Sequence, residues 1–415
     1  MSGIVLSASV RQNLLSLQST ADLLATTQNR LSTGKKVNTA LDNPTNFFTA
    51  QGLDNRASDI NNLLDGIGNG VQVLQAANTG LTSLQKLVDT ARSIANQVLQ
   101  APTGYSVKSS ATTAAPTGAT PALLAAGTAS DLTNAGTNGL NGKTFVFTPA
   151  AGAATTITVS STVAAGNVNS IDAFNTALSS AGIGLTAALA SNGSIGFTST
   201  NDNASQILTL GTTAAANTVA LSGTATFALV TPAGGSAGQP VPDAASQTVR
   251  SNLVAQYNNI ITQITTTAQD ASFNGINLLN GDDLKLTFNE TGKSTLNIKG
   301  VTFNPAGLGL ASLTSGTDFL DNASAKATIA KIGNASDTLR SQASALGSNL
   351  SIVQIRQDFN KNLINVLQTG SSNLTLADTN EEAANSQALS TRQSIAVSAL
   401  ALANQSQQSV LKLLQ

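Results

Sequence analysis

Residues 389–414, LSTRQSIAVSALALANQSQQSVLKLL, decide how this chain folds. Leu389, Gln393, Ala396, Leu400, Ala403, Gln407, Val410 and Leu414 fall at alternating steps of four and three, the spacing of a heptad seam along a helix. Ala388, Ile395 and Leu402 repeat at seven beside it. No proline or glycine interrupts the stretch, and as a helix it spans roughly 39 Å. Burying one seam of such side chains yields about 10–20 kcal/mol. Ordering the backbone of the segment costs about 26–50 kcal/mol. One seam therefore does not order this helix, which needs contacts on several sides.

The other end of the chain mirrors it. Val10, Leu14, Leu17, Ala21, Leu24, Gln28 and Leu31 keep the same four-three rhythm up to Ser32-Thr33-Gly34, where Gly34 suits a helix C-terminus. Either helix alone reads as an ordinary amphipathic core helix. Two of them at opposite ends of one long chain favour pairing with each other. Gln28, Gln393 and Gln407 sit at seam positions; they either fix register or face a wet groove.

Between these ends the pattern stays helical at first. Asp42-Asn43-Pro44 is a helix start, with a side-chain cap followed by proline in the first turn. Ile60, Leu64, Ile67, Val71, Leu74 and Asn78 continue the rhythm, which slips near Leu81–Leu84 and resumes through Val88, Ala91, Ala95 and Val98. Gly66, Gly68 and Gly70 lie inside this helix with the wrong spacing for a phosphate loop and no preceding strand, so close helix–helix approach or a kink is expected there.

At Ala101-Pro102 the composition changes to Ala, Thr, Gly and Ser. Short β-type runs at 144–148, 155–160, 194–198, 207–210 and 225–230, with a helix over 171–180 capped by Ser170, predict a small α+β unit. Its flanks, 111–122 and 231–242, read as linkers or loops. Helix returns at Asp243 with Val249, Leu253, Tyr257, Ile260 and Ile264. The run from Phe273 to Gly281 marks turns, and the alternation over 284–289 and 294–299 around Glu290-Thr291-Gly292-Lys293 predicts a β-hairpin. A further long helix is expected from Phe319 to Leu367, its buried side made by Ile332, Leu339, Leu346, Leu350, Val353, Phe359 and Leu363, ended by Gly370-Ser371-Ser372. The expected fold is thus mainly α: a long coiled-coil-like helical bundle formed by the N- and C-terminal segments, with a β-hairpin and a variable, β-rich α+β insertion.

Composition narrows the chemistry. The 415 residues carry a net charge of −1 and only 10% charged side chains, so there is no basic surplus for nucleic acid. His and Cys are both absent, which excludes Ser-His-Asp catalysis, HExxH zinc sites, thiolate metal sites and disulfides. No metal or cofactor is expected. The adjacent carboxylates Asp282-Asp283 and Glu381-Glu382 point apart as sequence neighbours and make a poor acid–base pair. The N-terminal residues lack a basic region and a long apolar core, so no cleaved signal peptide is expected. No run approaches 18 apolar residues, so no membrane insertion is expected.

Three motifs carry a family resemblance. Arg30-Leu31-Ser32-Thr33-Gly34-Lys35-Lys36-Val37-Asn38, with Ala40 and Asp42, resembles the N-terminal signature of the bacterial flagellins. Phe273 to Gly281 is similar to the motif that precedes their hairpin, and Ala403 to Leu414 is similar to their C-terminal signature. The resemblance covers roughly 1–100 and 246–415. It implies a structural, non-enzymatic subunit that leaves the bacterium through the flagellar type III apparatus and polymerises into the extracellular filament used for swimming. A chain without cysteine suits passage through an export channel unfolded.

By the same resemblance, residues 1–43 and 372–415 form an inner tube whose helices order on polymerisation. Residues 44–100 and 246–371 form an outer tube, and 101–245 a surface-exposed variable insertion, whose Ser and Thr resemble the O-glycosylated ones of some members. The implied polymerisation interface is Val10, Leu14, Leu17, Leu24, Leu31, Leu389, Ile395, Leu400, Leu402, Val410, Leu411 and Leu414. Implied partners are copies of the chain itself, an export chaperone, a cap and hook-associated junction proteins. Members sensed by animal innate immunity carry an Arg two positions before an Arg-Glu-Leu; here Thr90, Arg92, Ser93 and Ile94 occupy that run, which implies weak recognition. Rival readings are a hook–filament junction protein, or a secreted adhesin or effector that carries flagellar export tails.

Overall fold

The computed structural model describes residues 8–113, 154–162, 166–190, 194–209 and 236–413, with short pieces at 132, 142, 144–147, 164 and 226–228. These residues are mainly helical, as the periodicity predicts: α1 (Ala8–Thr33), α2 (Pro44–Gln100), α3 (Ile171–Ser180), α4 (Ala244–Asp270), α5 (Asn322–Thr375) and α6 (Thr379–Leu413). The chain divides into two compact units. One holds 1–72, 284–298 and 348–415; the other holds 73–283 and 299–347.

In the first unit α1 ends at Gly34, whose φ of +66° only glycine adopts without strain. The Asn38 and Thr39 N–H groups donate to Asp42 Oδ2 at 2.9 and 2.8 Å and fold the connector back on itself. Asn43 Oδ1 then accepts the Asn46 N–H, so Asn43 caps α2 with Pro44 in its first turn. Within this unit α2 and α5 meet through Ala57, Ile60, Ile364 and Leu367.

Three expectations fail on α5, the first being its start, which is Asn322 and not Phe319, whose φ of +58° lies outside a right-handed helix. Gly370-Ser371-Ser372 does not end the helix, which continues to Thr375. A β-carbon on Gly370 would stand 3.4 Å from Leu53, so the glycine is a small residue at a helix contact, and that packing offsets its poor propensity of about 1 kcal/mol. Phe359 is exposed and its neighbour Asn360 is buried instead, because Asn360 Nδ2 donates to the Phe288 carbonyl at 3.0 Å.

That carbonyl belongs to the hairpin of β12 (Leu284–Thr287) and β13 (Thr295–Ile298), which pair antiparallel with Leu284 opposite Ile298. Gly292 turns the connection at φ +70°, and Asn289 Oδ1 accepts the Ser294 N–H. The hairpin explains the glycine triplet of α2: Leu286 lies where a Gly70 β-carbon would be, 2.5 Å away. The close approach is thus helix to hairpin rather than helix to helix. Arg356 stacks 5.8 Å over the Phe288 ring, and Arg56 pairs with Glu290 at 2.9 Å.

In the second unit, α2 from residue 73 buries Val73, Leu74, Ala77, Leu81, Leu84, Val88, Ala91, Ala95 and Val98. The seam passes through Ala77 and leaves Asn78 exposed, which places the slip one turn earlier than expected. Asp243 Oδ2 caps α4 by accepting the Ser246 N–H at 2.9 Å. The buried face of α4 is Leu253, Val254, Tyr257, Ile261 and Ile264; Val249 is exposed and Ile260 half-buried. Asn274 and Gly275, at φ +50° and +81°, form the left-handed pair of a tight turn in which Phe273 and Ile276 exchange both backbone hydrogen bonds. Buried Asn277 then donates to the Ala268 and Gln269 carbonyls and accepts the Leu279 N–H.

The insertion lies inside this second unit. β3 (Thr144–Phe147) pairs antiparallel with β4 (Thr155–Val159), which pairs parallel with β5 (Asn167–Val168). Ser170 caps α3 as its position predicts. β6 (Leu185–Leu189) and β7 (Ile195–Ser199) form a hairpin, and β8 (Ile207–Thr209) pairs with β9 (Thr226–Ala228). Phe145, Phe147, Phe174 and Phe197 make an aromatic core with ring centroids 5.2–6.1 Å apart. The expected linkers or loops contain strand at 111–112, 236–238 and 241–242. β2 (Ser110–Thr112) lies between β7 and β10 (Ser236–Gly238), and β1 (Tyr105–Val107) pairs with β11 (Val241–Pro242). The two connections close on each other, and pairing satisfies backbone groups that composition alone would leave to solvent. Residues 114–122 and 231–235 lie outside the described residues.

Candidate functional site

α1 and α6 belong to the first unit and pack against each other antiparallel. Their joint is built from the backbone: Lys36 N–H donates to the Thr375 carbonyl at 2.8 Å, and Ala377 N–H to the Gly34 carbonyl at 3.0 Å. One turn on, Arg30 Nη1 meets Glu382 Oε1 at 3.3 Å. Glu381 and Glu382 lie in the first turn of α6, where the helix dipole favours negative charge, and Asp378 Oδ1 accepts the Asn380 N–H. The adjacent carboxylates therefore serve structure. Asp282 accepts the Asn277 N–H and Asp283 that of Gly300.

Over residues 389–403 the seam on α6 is where the heptads place it. Leu389, Gln393, Ala396, Leu400 and Ala403 are half-buried, while Ile395 and Leu402 beside them stay 63% and 72% exposed. On α1, Val10 is buried and Leu17 and Leu24 are half-buried, whereas Leu14, Gln28 and Leu31 are exposed. Thr27 takes the buried place that the rhythm assigns to Gln28. The side chains of Gln407, Val410 and Leu411, and Leu414 as a whole, lie outside the described residues. Among the described side chains of α1 and α6, only Val10, Thr27 and Glu382 are buried.

Apolar surface remains that neither seam uses. Leu15 and Leu23 are 71% and 54% exposed, and both border one depression along α1. Their signal was the doublets Leu14-Leu15 and Leu23-Leu24, which put leucine on two stripes at once. On α5, Ile352, Ile355, Phe359 and Val366 form a further exposed row. In the second unit, Thr90, Arg92 and Ser93 are exposed on α2 and Ile94 is buried. Among the described residues no helix is long and apolar enough to cross a membrane, and no cluster of three or more carboxylates could hold a metal ion.

Paired terminal helices with leftover apolar stripes define a helical protein that carries more apolar surface than its own α1–α6 seam covers. The bacterial flagellin N-terminal helical region matches residues 5–115, and the bacterial flagellin C-terminal helical region matches 329–414. Both ends of the chain thus carry the terminal helical regions of the bacterial flagellins. It is 34% identical over 163 residues to flagellin FljM and 35% identical over 164 residues to flagellin FljK, both of Caulobacter vibrioides. Each match covers 39% of this chain and 58% of the relative. Flagellin A of Rhizobium meliloti is 38% identical over 87 residues, 21% of this chain and 22% of the relative. The chain thus spans 58% of the length of the Caulobacter relatives.

Proposed function

We infer that this chain is a structural subunit of the bacterial flagellar filament, not an enzyme, and that it polymerises with copies of itself for swimming motility. The observation that carries the reading is the surplus of apolar surface on α1 and α6. Their 26 and 35 residues share one half-buried seam, and side-chain burial of that extent falls short of the ordering cost of about 1–2 kcal/mol per residue. Coupled folding and assembly supplies the rest: copies on several sides cover Leu14, Leu15, Leu31, Ile395 and Leu402. Contacts between unlike patches on identical copies generate an open helical filament when the rotation between copies does not close.

In this reading residues 1–43 and 372–415 form the inner tube, 44–100 and 246–371 the outer tube, and 101–245 the surface insertion. The chain travels through the flagellar export apparatus without signal cleavage, with an export chaperone, and assembles outside the cell beneath a cap and beyond hook-associated junction proteins. Thr90 and Ser93 stand where immune-sensed members carry Arg and Glu, so a receptor reporter cell is expected to respond weakly to the monomer. A response equal to that of an enteric flagellin would overturn this last point. The function itself is tested by adding purified chain to short filament seeds and following sedimentable mass and length in the electron microscope. Continuous elongation is expected; chains that add once and stop would identify a junction protein.

A further inference from the structure

We propose that the outer stripe of α1 bearing Leu15, Asp22 and Leu23 docks on the flank of α6 bearing Arg392, Ile395 and Leu402 in a second copy of this chain. Asp22 and Arg392 then form an ion pair between the copies. The proposal rests on the filament reading and names the contact that would extend it.

The two stripes complement each other in three respects. Both are apolar and uncovered, since Leu15, Leu23, Ile395 and Leu402 are all more than half exposed. Each carries one charge, of opposite sign. Asp22 borders the same α1 depression as Leu15 and Leu23. Arg392 precedes Ile395 by three residues, on the same helical face. Both charged side chains are exposed, and neither is among the ion pairs of the described residues.

Axial position agrees as well. Arg30 faces Glu382 within one copy. Eight residues back along α1 stands Asp22, and eight residues on along α6 stands Ser390, two residues short of Arg392. At 1.5 Å per residue the charges differ in height by only about 3 Å. A neighbour set alongside with little axial shift therefore brings Asp22 to Arg392, where the leucines of one stripe meet the Ile395 region of the other. The stripes are different surfaces, so the contact is heterologous, and with a rotation that does not close it repeats from copy to copy as the open helix of the filament reading.

The test is seeded polymerisation of full-length chain, read as the monomer concentration left at steady state. Asp22→Arg and Arg392→Asp each set like charges against each other, and each is expected to raise that concentration at least about tenfold. An equimolar mixture of the two variants alternates matched neighbours and is expected to return within about twofold of the wild type. Single variants that elongate like the wild type would overturn the proposal, as would a mixture no better than its components. Wild-type chain that never elongates would overturn the filament reading, and this contact with it. Circular dichroism of each variant checks that helix content is unchanged.

Discussion

Arg250 shows how one charged side chain organises the base of the insertion. It is 1% exposed, yet its guanidinium donates to the Pro102 carbonyl at 2.9 Å, to the Phe319 carbonyl at 2.9 Å and to Asn322 Oδ1 at 3.1 Å. Those acceptors lie just past the end of α2 and at the start of α5, so one planar fork holds three segments. Burial pushes the Arg250 pKa down, while the charges of Asp321 and Tyr105 act in the opposite direction. Burial also pushes Tyr257, packed edge-on against Phe319, up to about 12. Arg250→Met orphans the carbonyls and is expected to cost about 3 kcal/mol in urea unfolding. Arg250→Lys recovers little of this, because a point charge cannot reproduce the fork. Asp42 and Asp243 give the chain an acid limit. Hydrogen bonds from Thr39 and Asn38 lower the first, and the Ser246 hydroxyl and N–H lower the second. A lowered native pKa stabilises the fold fully above the ordinary carboxylate value, and the gain is lost as pH falls through the native value. Melting temperature is therefore expected to drop below about pH 4, and Asp243→Ala to show a lower plateau with a smaller drop.

At the scale of elements, Gly80 weighs propensity against packing. Alanine is the better helix former by about 1 kcal/mol. A β-carbon at Gly80, however, would stand 2.6 Å from the Ala271 β-carbon and 2.6 Å from Leu279 Cδ1. Ala271 has no longer side chain to swing aside, so overpacking of about 1–3 kcal/mol outweighs the propensity gain. Gly80→Ala is expected to lower the midpoint of chemical unfolding; a rise would mean that α2 and the turn at Ala271 separate at no cost. The same competition explains what the sequence made legible. Helix starts at Asn43, Ser170 and Asp243, the Asn274-Gly275 turn and the 284–298 hairpin rest on local chemistry, and all stand where residue type puts them. The exposure of Phe359, the burial of Asn360 and the continuation of α5 through Gly370 depend on partners far away in the chain, which no local window contains. The strand at 185–189 has only Leu, Thr and Ala to announce it, and it forms because β7 pairs with it. On α6 the seam was readable because one stripe keeps an unbroken four-three rhythm while its neighbour repeats only at seven. On α1 the leucine doublets gave two stripes of equal weight, and only the position of α6 selects between them.

For the whole molecule the question is what α1 and α6 do without neighbours. Leu400 sits half-buried in the α6 seam, one helical turn from Ala396 and Ala403. Leu400→Asp places a carboxylate with no cationic partner in that seam, and burial of an unpaired charge costs several kcal/mol. The second unit has its own buried core on α2, α4 and α5 and no share in that seam. The variant is therefore expected to keep its cooperative unfolding transition while elongation on seeds falls below detection. Deleting residues 405–415 removes about two and a half turns from the end of α6 and is expected to have the same effect. Hydrogen exchange on dilute wild-type chain gives the complementary view: amides of 8–33 and 379–413 are expected to exchange within seconds, those of 73–100 over hours, and the terminal ones to become protected only in the polymer. Slow exchange at both ends of the solitary chain would mean that the single α1–α6 seam suffices after all, and assembly would then dock preformed helices instead of ordering them.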